Sequence, residues 1–126
     1  MTVSRISGVD FVGVPVADLD RARRFYGEVL GLEAGKTWGD VDPKGAEFQA
    51  GNLTIALMDS VALGQPFVPG SGLIAFHVDD VASHVAQLRE LGVEILVDTF
   101  DSGVCHQAIL RDSEGNSIDL HNRYAD

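Results

Sequence analysis

The chain has 126 residues, 45% of them apolar, and a mean hydropathy near zero; this fits one compact domain and excludes both a disordered chain and a helical membrane protein. Nine Lys and Arg against 19 Asp and Glu leave a formal charge of −10, which repels phosphate backbones and anionic headgroups, so neither nucleic acid nor a membrane is an expected partner. Residues 1–10 carry one Arg and no apolar run, and the single Cys105 allows no intrachain disulfide and no thiolate cluster, so a cytoplasmic location is expected.

In chain order, Phe11 to Val16 reads as a strand with Val12, Val14 and Val16 on one face and Phe11, Gly13 and Pro15 on the other; Pro15 suits an edge or a strand end. Asp18 is placed to cap a helix near residues 19–30, in which Leu19, Ala22, Tyr26 and Val29 share one side and Gly31 ends the run. Arg21, Arg23 and Arg24 then form its solvated side. Leu32 to Trp38 is a second strand, weakened by Gly35, and residues 39–45 form a loop. Ala46 to Gln49 and Leu53 to Met58 are short strands joined by the turn Ala50-Gly51-Asn52. An irregular stretch with Pro66, Pro69, Gly70 and Gly72 follows.

The second half repeats the first. Leu73 to Val78 alternates like the opening strand, Asp80 stands where Asp18 stood, and Val81, Val85, Leu88 and Leu91 repeat the helical stripe over residues 80–91. An offset of about 62 residues keeps strand, cap and helix in step. Ile95 to Phe100 and Cys105 to Leu110 are further strands. Asp112, Gly115 and Asn116 then build a tight turn into a last strand, where Ile118 and Leu120 alternate with Ser117, Asp119 and His121. The prediction is one α+β domain over residues 1–126. It has a βαβββ module at about 8–58, a linker at 59–72 and a second βαβββ module at about 73–122, with curved mixed sheets around a cavity.

The double βαβββ pattern, the run Val14-Pro15-Val16-Ala17-Asp18-Leu19-Asp20 with Phe25-Tyr26 and Leu30-Gly31-Leu32, the segment Ala75-Phe76-His77-Val78-Asp79-Asp80 and the closing Asp112 to Leu120 resemble the vicinal oxygen chelate superfamily. That group holds glyoxalase I, fosfomycin-resistance enzymes, extradiol dioxygenases, methylmalonyl-CoA epimerase and the bleomycin-resistance proteins. The likeness covers about residues 8–122, with Ser113-Glu114 where the family usually shows Pro-Asp, a loop variation. It implies a glyoxalase/bleomycin-resistance-like fold, a small-molecule ligand and a homodimer. In metal-dependent members the ligands come from the first and last strand of each module. Carried over, those positions hold Phe11, Ala56, Leu73 and Asp119. Three of the four have no donor, and one carboxylate does not replace a divalent ion's hydration shell, so the expectation is a lost metal site and no cofactor.

Alternation places Val12, Val14 and Val16, then Leu53, Ile55 and Leu57, then Ile74, Phe76 and Val78, and finally Ile118 and Leu120 beneath the two helices. The opposite face carries Phe11, Gly13, Thr54, Ala56 and Met58 from the first module and Leu73, Ala75, His77, Ser117, Asp119 and His121 from the second. Extending the phase adds Cys105, Gln107 and Ile109. A mainly apolar wall with a few convergent polar groups is how small-molecule pockets are built, although the same residues would also line a closed, filled sheet. Trp38 and Phe100 occupy comparable places and either stack on a planar ligand, with Asp40 and Asp42 as counter-charges, or pack in a core or interface; Phe48 joins either group.

Two readings of Asp119 stand side by side: a general base or counter-charge with its pKa raised by burial, or a carboxylate satisfied by a neighbour. His77 and His121 are acid/base groups, members with Asp119 of a relocated metal site, or hydrogen-bonded wall residues. His84 and His106 fall on the helix and the opposite phase, and Cys105 reads as a buried inert thiol. The function that fits best is a metal-independent protein sequestering an antibiotic-like aromatic or cationic ligand. The alternative is a lyase, isomerase or dioxygenase with a rearranged or absent metal site, using Asp119 and His77 or His121.

Overall fold

The computed structural model describes residues 4–39 and 41–126. Strand β1 (Val12–Val16) leads into helix α1 (Leu19–Arg24), followed by β2 (Glu33–Trp38), β3 (Gly45–Ala50) and β4 (Leu53–Asp59). The second module runs β5 (Ala75–His77), α2 (Val81–Glu90), β6 (Ile95–Asp101), β7 (Cys105–Arg111) and β8 (Ser117–Arg123). The strands form two four-stranded mixed sheets, ordered β1-β4-β3-β2 and β5-β8-β7-β6. In each, the first strand runs parallel to the last and the remaining pairs are antiparallel, so both modules have the predicted βαβββ topology. Among the described residues no helix is long and apolar enough to cross a membrane.

Asp18 and Asp80 start the helices as expected, their carboxylates accepting the Arg21 and Ser83 backbone N–H groups at 3.0 Å. After Arg24 the helix widens into a π-helical turn, Phe25–Val29, in which the Leu30 N–H donates to the Phe25 carbonyl at 2.9 Å. Phe25 and Tyr26, at the start of this turn, are both buried. Val14, Val16, Ile55 and Leu57 from the first sheet join Ala108, Leu110, Ile118 and Leu120 from the second in one core, with the helices between. Leu91, the last member of the predicted α2 stripe, lies outside this core and is 65% exposed.

The turn Asp112–Asn116 between β7 and β8 does more than reverse the chain. It inserts into the seam between α1 and β1, so residues from the end of the chain hold its beginning. Glu114, buried, accepts the N–H groups of Ala17 and Asp18 at 2.9 and 2.8 Å and pairs with Arg21 through Nε at 2.8 Å. Arg21 is therefore a junction residue, which corrects its assignment to the solvated side. Tyr26 donates its hydroxyl to Asp112 at 2.6 Å, and Asn116 donates to the Pro15 carbonyl at 2.8 Å while accepting from Gly70 N–H at 2.7 Å. Burial alone would raise the Glu114 carboxyl, but Arg21, the two N–H groups and the Ser113 hydroxyl outweigh it and hold its pKa down to about 2.

Candidate functional site

Each sheet has one face under its helix and one face free of it. Register decides which side chains share the free face, because paired residues in neighbouring strands point the same way. In the first sheet Gly13 and Glu47 both pair with Ala56, and Pro15 pairs with Met58, which aligns these residues on the free face. A Cβ at Gly13 would lie 2.8 Å from the Met58 sulfur, so a side chain there would displace the flexible end of Met58. Trp38 pairs with Gly45 and lays its indole over it, occupying the space a side chain at that position would need. Trp38 is thus a half-buried platform on the free face.

In the second sheet Ala75, Asp119 and Ile109 form one row, and His77, His121 and Gln107 the next. Cys105 is on the same side, paired with Arg123. Strand β6 has register shifts between Ile95 and Val97 and again between Val97 and Phe100, and they bring Val97 opposite Ile109 and Phe100 opposite Gln107. Both apolar side chains therefore reach the free face from a strand in which simple alternation would separate them. Phe11 and Leu73, 50% and 48% exposed, flank the first strands of the two sheets. Val97 and Phe100 are exposed as well, so both free faces present uncovered apolar surface.

The placement corrects one candidate. Phe48 alternates with Glu47 and points to the helix side, where it is buried with its ring centroid 6.4 Å from that of Tyr26. It belongs to the core and does not reach the free face. Glu47, half-buried on that face, is the residue sequence reading passed over; its in-register pairing with Ala56 was the available signal. Asp42 lies exposed in the β2–β3 loop, and Asp40 lies outside the described residues. His106 stacks on Tyr124 at 4.7 Å, away from this face.

Asp119 sits at the centre of the second free face and is only 5% exposed. Its Oδ1 is buried with no hydrogen-bond partner. Burial pushes its pKa up, and the opposing pull of His121 and of the Ala108 N–H does not cancel the shift. His77 is directed to solvent, its Nε2 3.4 Å from Asp79. Among the described residues no three His, Cys, Asp or Glu side chains are arranged to hold a metal ion, and of Phe11, Ala56, Leu73 and Asp119 one has a donor. The donor set does not fit a divalent cation. A separate cleft of about 510 Å³ opens on the helix side, between the modules, and of the candidates only Ala75 and His77 touch it.

This architecture defines a glyoxalase-like class of βαβββ proteins, and the comparisons agree. The chain matches the model of the Glyoxalase/Bleomycin resistance protein/Dioxygenase superfamily over residues 8–120, and it belongs to that family. Among solved structures it is similar to TnmS3, an antibiotic binding protein from Streptomyces sp. CB03234. The TM-score is 0.76 at 26% identity, covering 96% of this chain and 99% of that one. It also resembles a glyoxalase/bleomycin resistance protein from the same Streptomyces strain (TM-score 0.71, 25% identity, 89% and 97% covered). Lactoylglutathione lyase from Agrobacterium tumefaciens (TM-score 0.73, 21% identity, 94% and 95% covered) shares the fold. No curated protein gave a match.

Proposed function

We propose that the protein is a metal-independent small-molecule-binding protein that holds an aromatic, cationic, antibiotic-like ligand against its helix-free faces. The observation that carries this reading is Asp119, a buried carboxylate with an unpartnered oxygen, flanked in its own row by Ala75 and Ile109. Leaving such a group unsatisfied is costly, and a cationic ligand would remove the cost by pairing with it. Trp38 offers the flat surface on which an aromatic would lie, and Glu47 a second carboxylate on the other sheet. The likeness to an antibiotic binding protein supports the same class of ligand. The cavity is completed by a second copy of the chain. The free edges of β1 and β5, with Phe11, Leu73, Val97 and Phe100 exposed beside the free faces, are the surfaces the second copy covers.

Calorimetric titration with naphthylmethylamine, naphthylmethanol and naphthoate, which differ mainly in charge, tests this reading. The amine binds tightest to the metal-stripped protein, weakens with salt, and loses about tenfold in affinity with Asp119→Asn. Equal affinity for all three, unchanged by the substitution, would leave Asp119 without a role in the site. Zn, Mn, Fe or Ni retained stoichiometrically after dialysis and released by Asp119→Ala would favour the enzyme reading through His77 and His121.

A further inference from the structure

The internal repeat exposes a difference between the two seams where a helix meets the first strand of its module. The seam of α1 and β1 is filled by the β7–β8 turn, whose five residues, Asp112 to Asn116, separate the strands. The repeat offset carries Tyr26, Ala22, Phe25 and Val14 of that seam onto Leu88, His84, Gln87 and Phe76, and carries Asp112 onto Ala50. At the second seam the corresponding β3–β4 turn has only Gly51 and Asn52 between its strands. It is too short to enter the space, and the result is the helix-side cleft of about 510 Å³. Leu30, Leu32 and Leu53 wall it from the first module and Ile74, Phe76 and Leu88 from the second.

The chemistry of the cleft differs from that of the free faces. None of its lining residues is Asp, Glu, Lys or Arg, in a chain with 19 acidic residues. Two of its polar lining residues, both on α2, present acceptors, alongside Asn52 and His77. His84 Nδ1 lies 3.2 Å from the Asp80 carbonyl, so Nδ1 carries the proton in the neutral ring and Nε2 is the acceptor. Gln87 uses its amide N–H on the Ser83 hydroxyl at 3.2 Å, and among the described residues no donor occupies its amide oxygen. Leu91 stands exposed at the mouth. We propose that this cleft is a second ligand site, separate from the one under Proposed function, for a neutral, largely hydrocarbon small molecule bearing a single hydroxyl or N–H donor. The volume lies within the range of small-molecule pockets, about 300–1,000 Å³. The absence of lining charge disfavours an ionic ligand, which would be desolvated without a counter-ion.

N-Phenyl-1-naphthylamine, neutral and with one N–H, is the probe, since its fluorescence rises in apolar surroundings. The full-length protein is expected to give a saturable one-to-one signal that excess naphthylmethylamine does not displace. Replacing Gly51-Asn52 with the sequence Asp-Ser-Glu-Gly-Asn, to match the longer turn, should weaken binding at least tenfold. Gln87→Trp, at an exposed helix position, should do the same should the grafted turn fail to fold. No saturable signal overturns the proposal, including the case where the N-terminal residues of a second copy already fill the cleft. A signal unchanged by Gln87→Trp, or displaced by the amine, overturns it equally.

Discussion

Glu114 and Asp119 are five residues apart, both almost fully buried, and opposite in character. Glu114 is surrounded by donors, two backbone N–H groups, a hydroxyl and a guanidinium, and is held ionised down to a pKa of about 2. Asp119 has an oxygen with no donor among the described residues, and burial pushes its pKa upward. The partnered carboxylate holds the modules together, whereas the unpartnered one represents stability given up on the helix-free face. Burial by itself therefore does not fix the direction of a carboxyl's pKa shift; the count of donors does.

The sharpest way to break this contrast is to remove each carboxylate in turn. Glu114→Ala strips four donors of their acceptor at the module junction, and chemical denaturation should register a loss of about 3–4 kcal/mol. A loss below about 1 kcal/mol would mean that the junction is held by the apolar core and not by the turn.

Acid offers a reversible version of the same experiment. A carboxyl whose folded pKa is depressed contributes fully above its ordinary value of 4.5 and loses that contribution as the pH falls through the folded value of about 2. Allowing for the half-exposed Arg21, the contribution is about 2 kcal/mol. Denaturation midpoints should therefore decline over that window in the wild type and more gently in Glu114→Gln.

Asp119 has the opposite sign and the smallest effect. Its raised pKa means the folded state holds the proton more tightly than the unfolded state, so stability falls as pH rises through that range. Asp119→Asn should raise the unliganded protein's stability at neutral pH by about 1 kcal/mol while weakening the cationic ligand. A lower melting temperature would identify Asp119 as a structural residue.

Much of the fold is written locally. Period-two alternation located the strands β1, β4, β5 and β8, and Asp18 and Asp80 marked the helix starts because capping chemistry is a property of adjacent residues. The free-face row of Asp119, His121, Gln107 and Cys105 was legible for the same reason. What stayed hidden depends on contacts distant in sequence or on breaks in the period. The Glu114–Arg21 pair spans 93 residues, and nothing near Arg21 distinguishes it from Arg23 or Arg24. The bulges of β6 defeat alternation and conceal Val97. Of the two places left open for Phe48, its phase relative to Ala46 and Glu47 selects the core.

If a second copy completes the cavity as proposed, Trp38 of one copy and Asp119 of the other face the same ligand. That arrangement is tested most directly by mixing two defective chains, Trp38→Ala and Asp119→Asn, and titrating the refolded mixture with naphthylmethylamine. A cavity built across the dimer puts both defects into one site of each mixed dimer and leaves the other site intact. The account predicts that wild-type affinity returns, at one site per mixed dimer, although neither variant alone shows it. A mixture that binds no better than its two components would contradict the account and place the ligand within a single chain.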